Sequence, residues 1–116
     1  MTTYRHDETD LLSALVSLLN ASGRCQVWKN KTGALRATGR GGRSYPMRFG
    51  LGVGGADLVG LLRNGRFFSL ETKALTKQSD NQRAWQAVVE AHGGFYAVVR
   101  SIPEALAALE RAETGG

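Results

Sequence analysis

Asp57, Glu71 and Lys73 are the residues whose types and spacing could do chemistry. Asp57 opens an apolar run, Asp57–Leu62, and Glu71 and Lys73 close a second, Arg66–Lys73, with Arg63-Asn64-Gly65 between them. An Asn-Gly pair between two apolar runs is a strong hairpin signal, so the runs read as adjacent antiparallel strands. Alternation along a strand puts Glu71 and Lys73 on one face, and the hairpin brings the start of one strand beside the end of the other, near Glu71 for Asp57. Two close carboxylates repel, and a divalent cation is the simplest compensation. Oxygens of Asp57 and Glu71, with the carbonyl of Thr72, would hold such an ion and leave positions open for water and a phosphate oxygen. Lys73 would position or activate the attacking water and stabilise charge in the transition state. The plainer alternative is a cross-strand salt bridge at a sheet edge, which an isolated Asp…Glu-x-Lys pattern would favour.

The remaining elements must carry this hairpin. Asp7 or Thr9 can cap a first helix running to about Ala21, with Leu11, Leu12, Leu15, Val16, Leu18 and Leu19 at helical spacing and Ser22-Gly23 as its stop. Arg24–Trp28 reads as a short strand. The Gly-rich basic stretch Lys29–Gly55 follows, where Ala34–Thr38 and Tyr45–Phe49 can pair as a ribbon. Ser79, with Gln82 three residues on, has the capping-box form and opens a helix through Trp85, Val88 and Val89 that stops at Gly93-Gly94. Phe95–Val99 is a buried strand; Ser101 and Glu104, with Pro103 in the first turn, start a last helix ending near Arg111. The expected class is mixed α/β, one domain over residues 1–116, with a small sheet flanked by helices in the order α-β-β-β-α-β-α. Trp28 and Trp85 are expected in the core and His92 at a helix C-terminus.

Composition narrows the chemistry. With 42% hydrophobic and 22% charged residues the chain has the make-up of a folded globular domain. No apolar run approaches the roughly 20 residues of a membrane span, and Met1–Asp10 is too charged for a secretory signal, so a cytoplasmic location is expected. Cys25 is alone and only His6 and His92 could join it, which argues against zinc and for oxygen ligands around a hard ion, Mg2+ or Mn2+. The net charge is +5. Its distribution says more: no Asp or Glu lies between Leu11 and Ala56, while Arg24, Lys29, Lys31, Arg36, Arg40, Arg43 and Arg48 supply seven cations. Such a segment attracts a polyanion, and a nucleic-acid backbone is the commonest one.

Across nearly its whole length the chain resembles the VRR-NUC domain, a branch of the PD-(D/E)XK nuclease superfamily. The matching residues are Val27-Trp28-Lys29-Asn30 with Thr32-Gly33, Arg48-Phe49-Gly50, Gly55-Ala56-Asp57-Leu58-Val59-Gly60, Leu70-Glu71-Thr72-Lys73, Gln82 and Gly93-Gly94. The resemblance implies a restriction-endonuclease-like fold, Asp57 and Glu71 as metal ligands, Lys73 as the catalytic lysine and Gln82 as an active-site glutamine. It also implies an acidic residue on the first helix directed at the metal, and Glu8 shares a helical face with Leu12, Leu15 and Leu19. Ala56 replaces the proline of the superfamily's name, keeping an extended backbone, and Lys29 stands where arginine is common. Lys29, Asn30, Lys31, Thr32, Arg36, Arg40, Arg43 and Arg48 are the candidate DNA contacts, holding phosphates without reading bases.

These expectations converge on a metal-dependent endonuclease acting on DNA, branched DNA such as a four-way junction included. The alternative is a non-catalytic basic DNA-binding module, which would gain nothing from carboxylates where phosphates approach. A purely structural domain would leave the seven cations unexplained. The stand-alone phage and bacterial relatives that the chain resembles suggest a homodimer, and a small core beside a Gly-rich stretch points the same way.

Overall fold

The computed structural model describes residues 7–72 and 78–115. Its elements are α1 (Asp7–Ala21), β1 (Cys25–Lys29), β2 (Gly33–Thr38), β3 (Ser44–Phe49), β4 (Leu58–Leu62), β5 (Phe67–Thr72), α2 (Asp80–Ala91), β6 (Phe95–Val99) and α3 (Ile102–Glu113). Four strands form a mixed sheet in the order β1-β4-β5-β6, antiparallel except for the last pair, which is parallel. The class is α/β, and the main-sheet elements follow the expected α-β-β-β-α-β-α order. The pair β2–β3 is a separate two-stranded ribbon inserted between β1 and β4.

The alternation of side chains along the strands decides which helix covers which face. Leu58, Leu62, Phe68, Leu70, Phe95 and Val99 point to one face, where they pack with Leu15 and Leu19 of α1 and Ala105, Ala108 and Leu109 of α3. Val59, Phe67, Tyr96 and Val98 point to the other and meet Trp85 and Val89 of α2. This second layer is thinner, because a single helix, reached by the β5–α2–β6 crossover, covers it. Trp28, on the edge strand β1, is consequently 52% exposed, against the expectation that it belongs to the core. Trp85 is partly buried and meets Phe67 edge-on, with ring centroids 6.2 Å apart.

Most boundaries follow local chemistry. The β4–β5 turn closes with Leu62 N donating to Arg66 O at 2.9 Å, and Gly65 at its end takes φ +89°, which a residue with a Cβ rarely adopts. Ser79 caps α2 as a full capping box with Gln82. Ser101 caps α3, but the box is not reciprocal there: Glu104 Oε1 accepts from Arg100 N at 2.8 Å, one residue further back. α1 begins at Asp7, so Asp7 and Thr9 are both helical, and the residue preceding the helix lies outside the described residues. His92 ends α2, with Nδ1 against Val88 O at 2.8 Å.

Candidate active site

Leu58 pairs with Leu70 across β4 and β5. One step further along the same register sets Asp57 opposite Glu71, on the sheet face that α2 covers. The proximity expected from the hairpin is therefore met by register alone. Asp57 and Glu71 line a cleft of about 460 Å3 together with Gln82, Lys31, Thr32 and Arg48.

Each carboxylate is held. Thr72 donates twice to Asp57 Oδ2, from its backbone N at 3.0 Å and from Oγ1 at 2.7 Å. Both donors converge on one oxygen, and among the described residues Oδ1 takes no hydrogen bond, which suits it to a cation. Glu71 is 5% exposed, and its Oε2 accepts from Gln82 Nε2 at 2.7 Å. Gln82 Oε1 meanwhile accepts from Ser79 N at 2.8 Å, so the helix cap and the site contact use opposite ends of one amide. Gln82 therefore makes the capping box expected of it and reaches Glu71 as well.

The loop leading into Asp57 is fixed from β1. Asn30 N donates to Asp57 O at 2.7 Å, Asn30 Nδ2 to Ala56 O at 2.9 Å, and Leu51 N donates to Asn30 Oδ1 at 3.2 Å. Asn30, expected to touch phosphates, thus organises the backbone before Asp57. Gly54 adopts φ +82° and lies so close to Asn81 that a Cβ would sit 2.3 Å from Asn81 O, which packs the loop onto the first turn of α2. Of the candidate DNA contacts, Asn30, Lys31, Thr32 and Arg48 line the cleft. Lys29 instead turns to α1, where Nζ donates to Ser13 Oγ at 3.0 Å. Arg36 lies on the ribbon, donating to Ser44 Oγ at 2.8 Å, and Arg40 and Arg43 belong to the turn at its tip.

Lys73 lies outside the described residues, as does the side chain of Glu8, whose backbone belongs to α1. Among the described residues no group of three His, Cys, Asp or Glu gathers as a metal cluster, so Asp57 and Glu71 stand as a pair. No family model matches the chain, and no curated protein is detectably similar to it.

The sequence does not single out Tyr96 or Gln78. Tyr96 is buried on β6, on the same face as the carboxylates, and its hydroxyl accepts from Gln78 Nε2 at 3.1 Å. Burial pushes its phenol above the ordinary value, and the negative charges of Glu71 and Asp57 add to this, while the Gln78 hydrogen bond opposes it. A tyrosine in an apolar strand carries no sequence signal for this, since its neighbours arrive from other elements.

Proposed function

We propose that the chain is a metal-dependent DNA endonuclease of the VRR-NUC type, hydrolysing phosphodiester bonds in branched DNA such as a four-way junction. The observation that carries this reading is the pairing of Asp57 with Glu71 in a cleft that also presents Lys31 and Arg48. Thr72 and Gln82 each hold one of the two carboxylates in place within that cleft.

The donor set is all oxygen, which fits Mg2+ or Mn2+. Asp57 and Glu71 would hold the ion, with the Thr72 carbonyl and Glu8 as the further donors that the resemblance implies. Such an ion supplies Lewis acidity at a phosphate oxygen and a more acidic water. Thr72 keeps Asp57 in one orientation, and Gln82 does the same for Glu71, so both carboxylates are set before substrate arrives. Arg48 and Lys31 hold flanking phosphates, and Lys73 orients the attacking water. The proposal extends to a cytoplasmic homodimer that presents two such sites to a symmetric junction. Trp28 and Leu61, exposed on the outer face of β1 and β4, are apolar surface that a second copy can bury.

The test is cleavage of flap, single-stranded, duplex and four-way-junction DNA with Mg2+, with Mn2+ and in EDTA. Asp57→Asn, Glu71→Gln and Lys73→Ala should each lower cleavage by orders of magnitude with DNA affinity and fold retained, because these groups act mainly in the transition state. Parental activity in any of the three, or in EDTA, would refute the assignment.

A further inference from the structure

The β2–β3 ribbon leaves the cleft on one side and pairs with no other strand. Its register sets Ala34 opposite Arg48, Arg36 opposite Pro46 and Thr38 opposite Ser44, so strand alternation gathers these side chains on one face. Arg36 Nη2 donates to Ser44 Oγ at 2.8 Å, which lays its guanidinium along that face. Ala34 and Arg48 line the cleft with Asp57 and Glu71, so the face continues the cleft wall outward. Lys31 stands in the cleft, Arg48 at the root of the ribbon, Arg36 midway along it, and Arg40 and Arg43 at its tip. All five are exposed, and no Asp or Glu between Leu11 and Ala56 offsets them. At the root, Gly50 takes φ +92° and lies so near Thr32 that a Cβ would sit 2.6 Å from Thr32 Cα, which draws the two strands together where they leave the cleft.

The side chains of this face say which polyanion fits it. Proteins that hold single strands combine cations with aromatic platforms for the bases. This face offers no platform: beside its arginines it carries Ala34, Thr38, Ser44 and Pro46, while Tyr45 and Phe49 belong to the opposite side. Charge without a stacking surface suits a ligand whose bases are already stacked inside and whose phosphates lie outside, which is duplex DNA. Each strand of the ribbon has six residues, and at about 3.4 Å per residue they reach roughly 20 Å from the root. A duplex rises about 3.4 Å per base pair and stays straight over that length, so the ribbon runs beside about six base pairs.

We propose that the cationic face of the β2–β3 ribbon is an arm for duplex DNA, held on one side of the cleft and reaching about six base pairs from the carboxylate pair. The substrate must then carry a duplex segment of at least that length beside the position cut. This rests on the nuclease reading and deepens it by naming the form and length of DNA that the site accepts.

The test measures binding, so that it stays separate from cleavage. The Asp57→Asn protein is titrated over a range of salt with DNA stems of about four to about sixteen base pairs, each closed by a non-nucleotide linker, and with single strands of the same lengths. Combined Arg40→Ser and Arg43→Ser substitutions, both at exposed positions of the tip, remove two phosphate contacts and should lower the log–log salt slope by about 1.8 on stems longer than about eight base pairs. On stems of about four base pairs, which end before the tip, the same substitutions should leave the slope unchanged. Lys31→Ser, in the cleft, should lower it by about 0.9 at every length. A tip effect of equal size on the shortest and longest stems overturns the proposal, as does no tip effect on any stem. A tip effect on single strands as large as on long stems also overturns it, since the face would then not select a duplex. Absence of metal-dependent cleavage in the parent protein refutes the nuclease reading alone and leaves these binding outcomes readable.

Discussion

Thr72→Val isolates one hydrogen bond at the centre of the site. Thr72 is 3% exposed and donates to Asp57 Oδ2 from its backbone N at 3.0 Å and from Oγ1 at 2.7 Å. Valine keeps the branched shape and the backbone donor and removes the hydroxyl. A hydrogen bond to an ionised group contributes about 1.5–3 kcal/mol, and the buried methyl that replaces the hydroxyl offsets part of it, so the net loss should be about 1–2 kcal/mol. For a domain of this size that lowers Tm by roughly 4–10 °C and leaves the protein folded. Activity should fall further than stability suggests. With one tether gone Asp57 can rotate, and misplacement of a reacting group by about 1 Å can reduce rates by up to a hundredfold. Thr72→Ser is the control: it keeps the hydroxyl and loses a methyl, at a cost of about 1 kcal/mol. The two variants should therefore have similar urea midpoints and unlike rates, with serine within a few-fold of the parent and valine tenfold to a hundredfold slower and needing more metal. Cleavage of a labelled junction at several Mg2+ concentrations measures this. Parental rates in Thr72→Val, or a slower serine variant, would show that the hydroxyl does not position Asp57.

Removing Arg36, Arg40 and Arg43 together should flatten the dependence of DNA affinity on salt, by about 0.9 in log–log slope for each phosphate the protein ceases to neutralise; an unchanged slope would put the binding surface elsewhere. Light scattering coupled to size exclusion should give twice the 12.5 kDa chain mass, and a mass of one chain across micromolar concentrations would refute the dimer. Because Tyr96 holds its proton more tightly when folded, its contribution to stability is intact below the ordinary phenol value of 10.0 and is lost as pH rises through the elevated one. Tyr96→Phe should accordingly flatten the alkaline limb of the urea midpoint plotted against pH, and an unchanged limb would mean that the phenol does not titrate in the folded protein.

The carboxylate pair is legible in the sequence because it depends on one short-range decision. Once Asn64-Gly65 turns the chain, Asp57 at the start of one strand must come near Glu71 at the end of the other, while the exact register, with Leu62 closing on Arg66 across a three-residue loop, is set by the turn type. The capping boxes are legible for the same reason, although Glu104 reaches past Ser101 to Arg100, a choice of rotamer that spacing does not encode. Trp28 departs from expectation because its burial depends on where α2 comes to rest. The crossover sets that helix over β5 and β6 and leaves β1 open. Lys29 shares the parity of Cys25 and Val27, which pack with α1, so strand alternation turns it to Ser13 on that helix, away from the cleft. Asn30 looks like a surface polar group in the sequence because its partners, Leu51, Ala56 and Asp57, belong to a loop more than 20 residues away that has no periodicity to betray it.

What positions the site is also what positions the elements. Gln82 ends the loop before α2 by closing the capping box, and the same side chain holds Glu71. Asn30 joins β1 to the loop that ends at Asp57, and Thr72 joins the end of β5 to Asp57 itself. The two carboxylates are thus fixed from β1, β5 and α2 at once, so neither can reorient without breaking a hydrogen bond that also defines where an element begins or ends. This constraint is useful to a metal site. Carboxylates free to turn would relieve their repulsion by separating, whereas Thr72 and Gln82 keep these two opposed across the end of the hairpin. Lys31 and Arg48 line the same cleft, while a hydroxyl and an amide hold the acids, so positioning the carboxylates and presenting positive charge to a ligand fall to different residues.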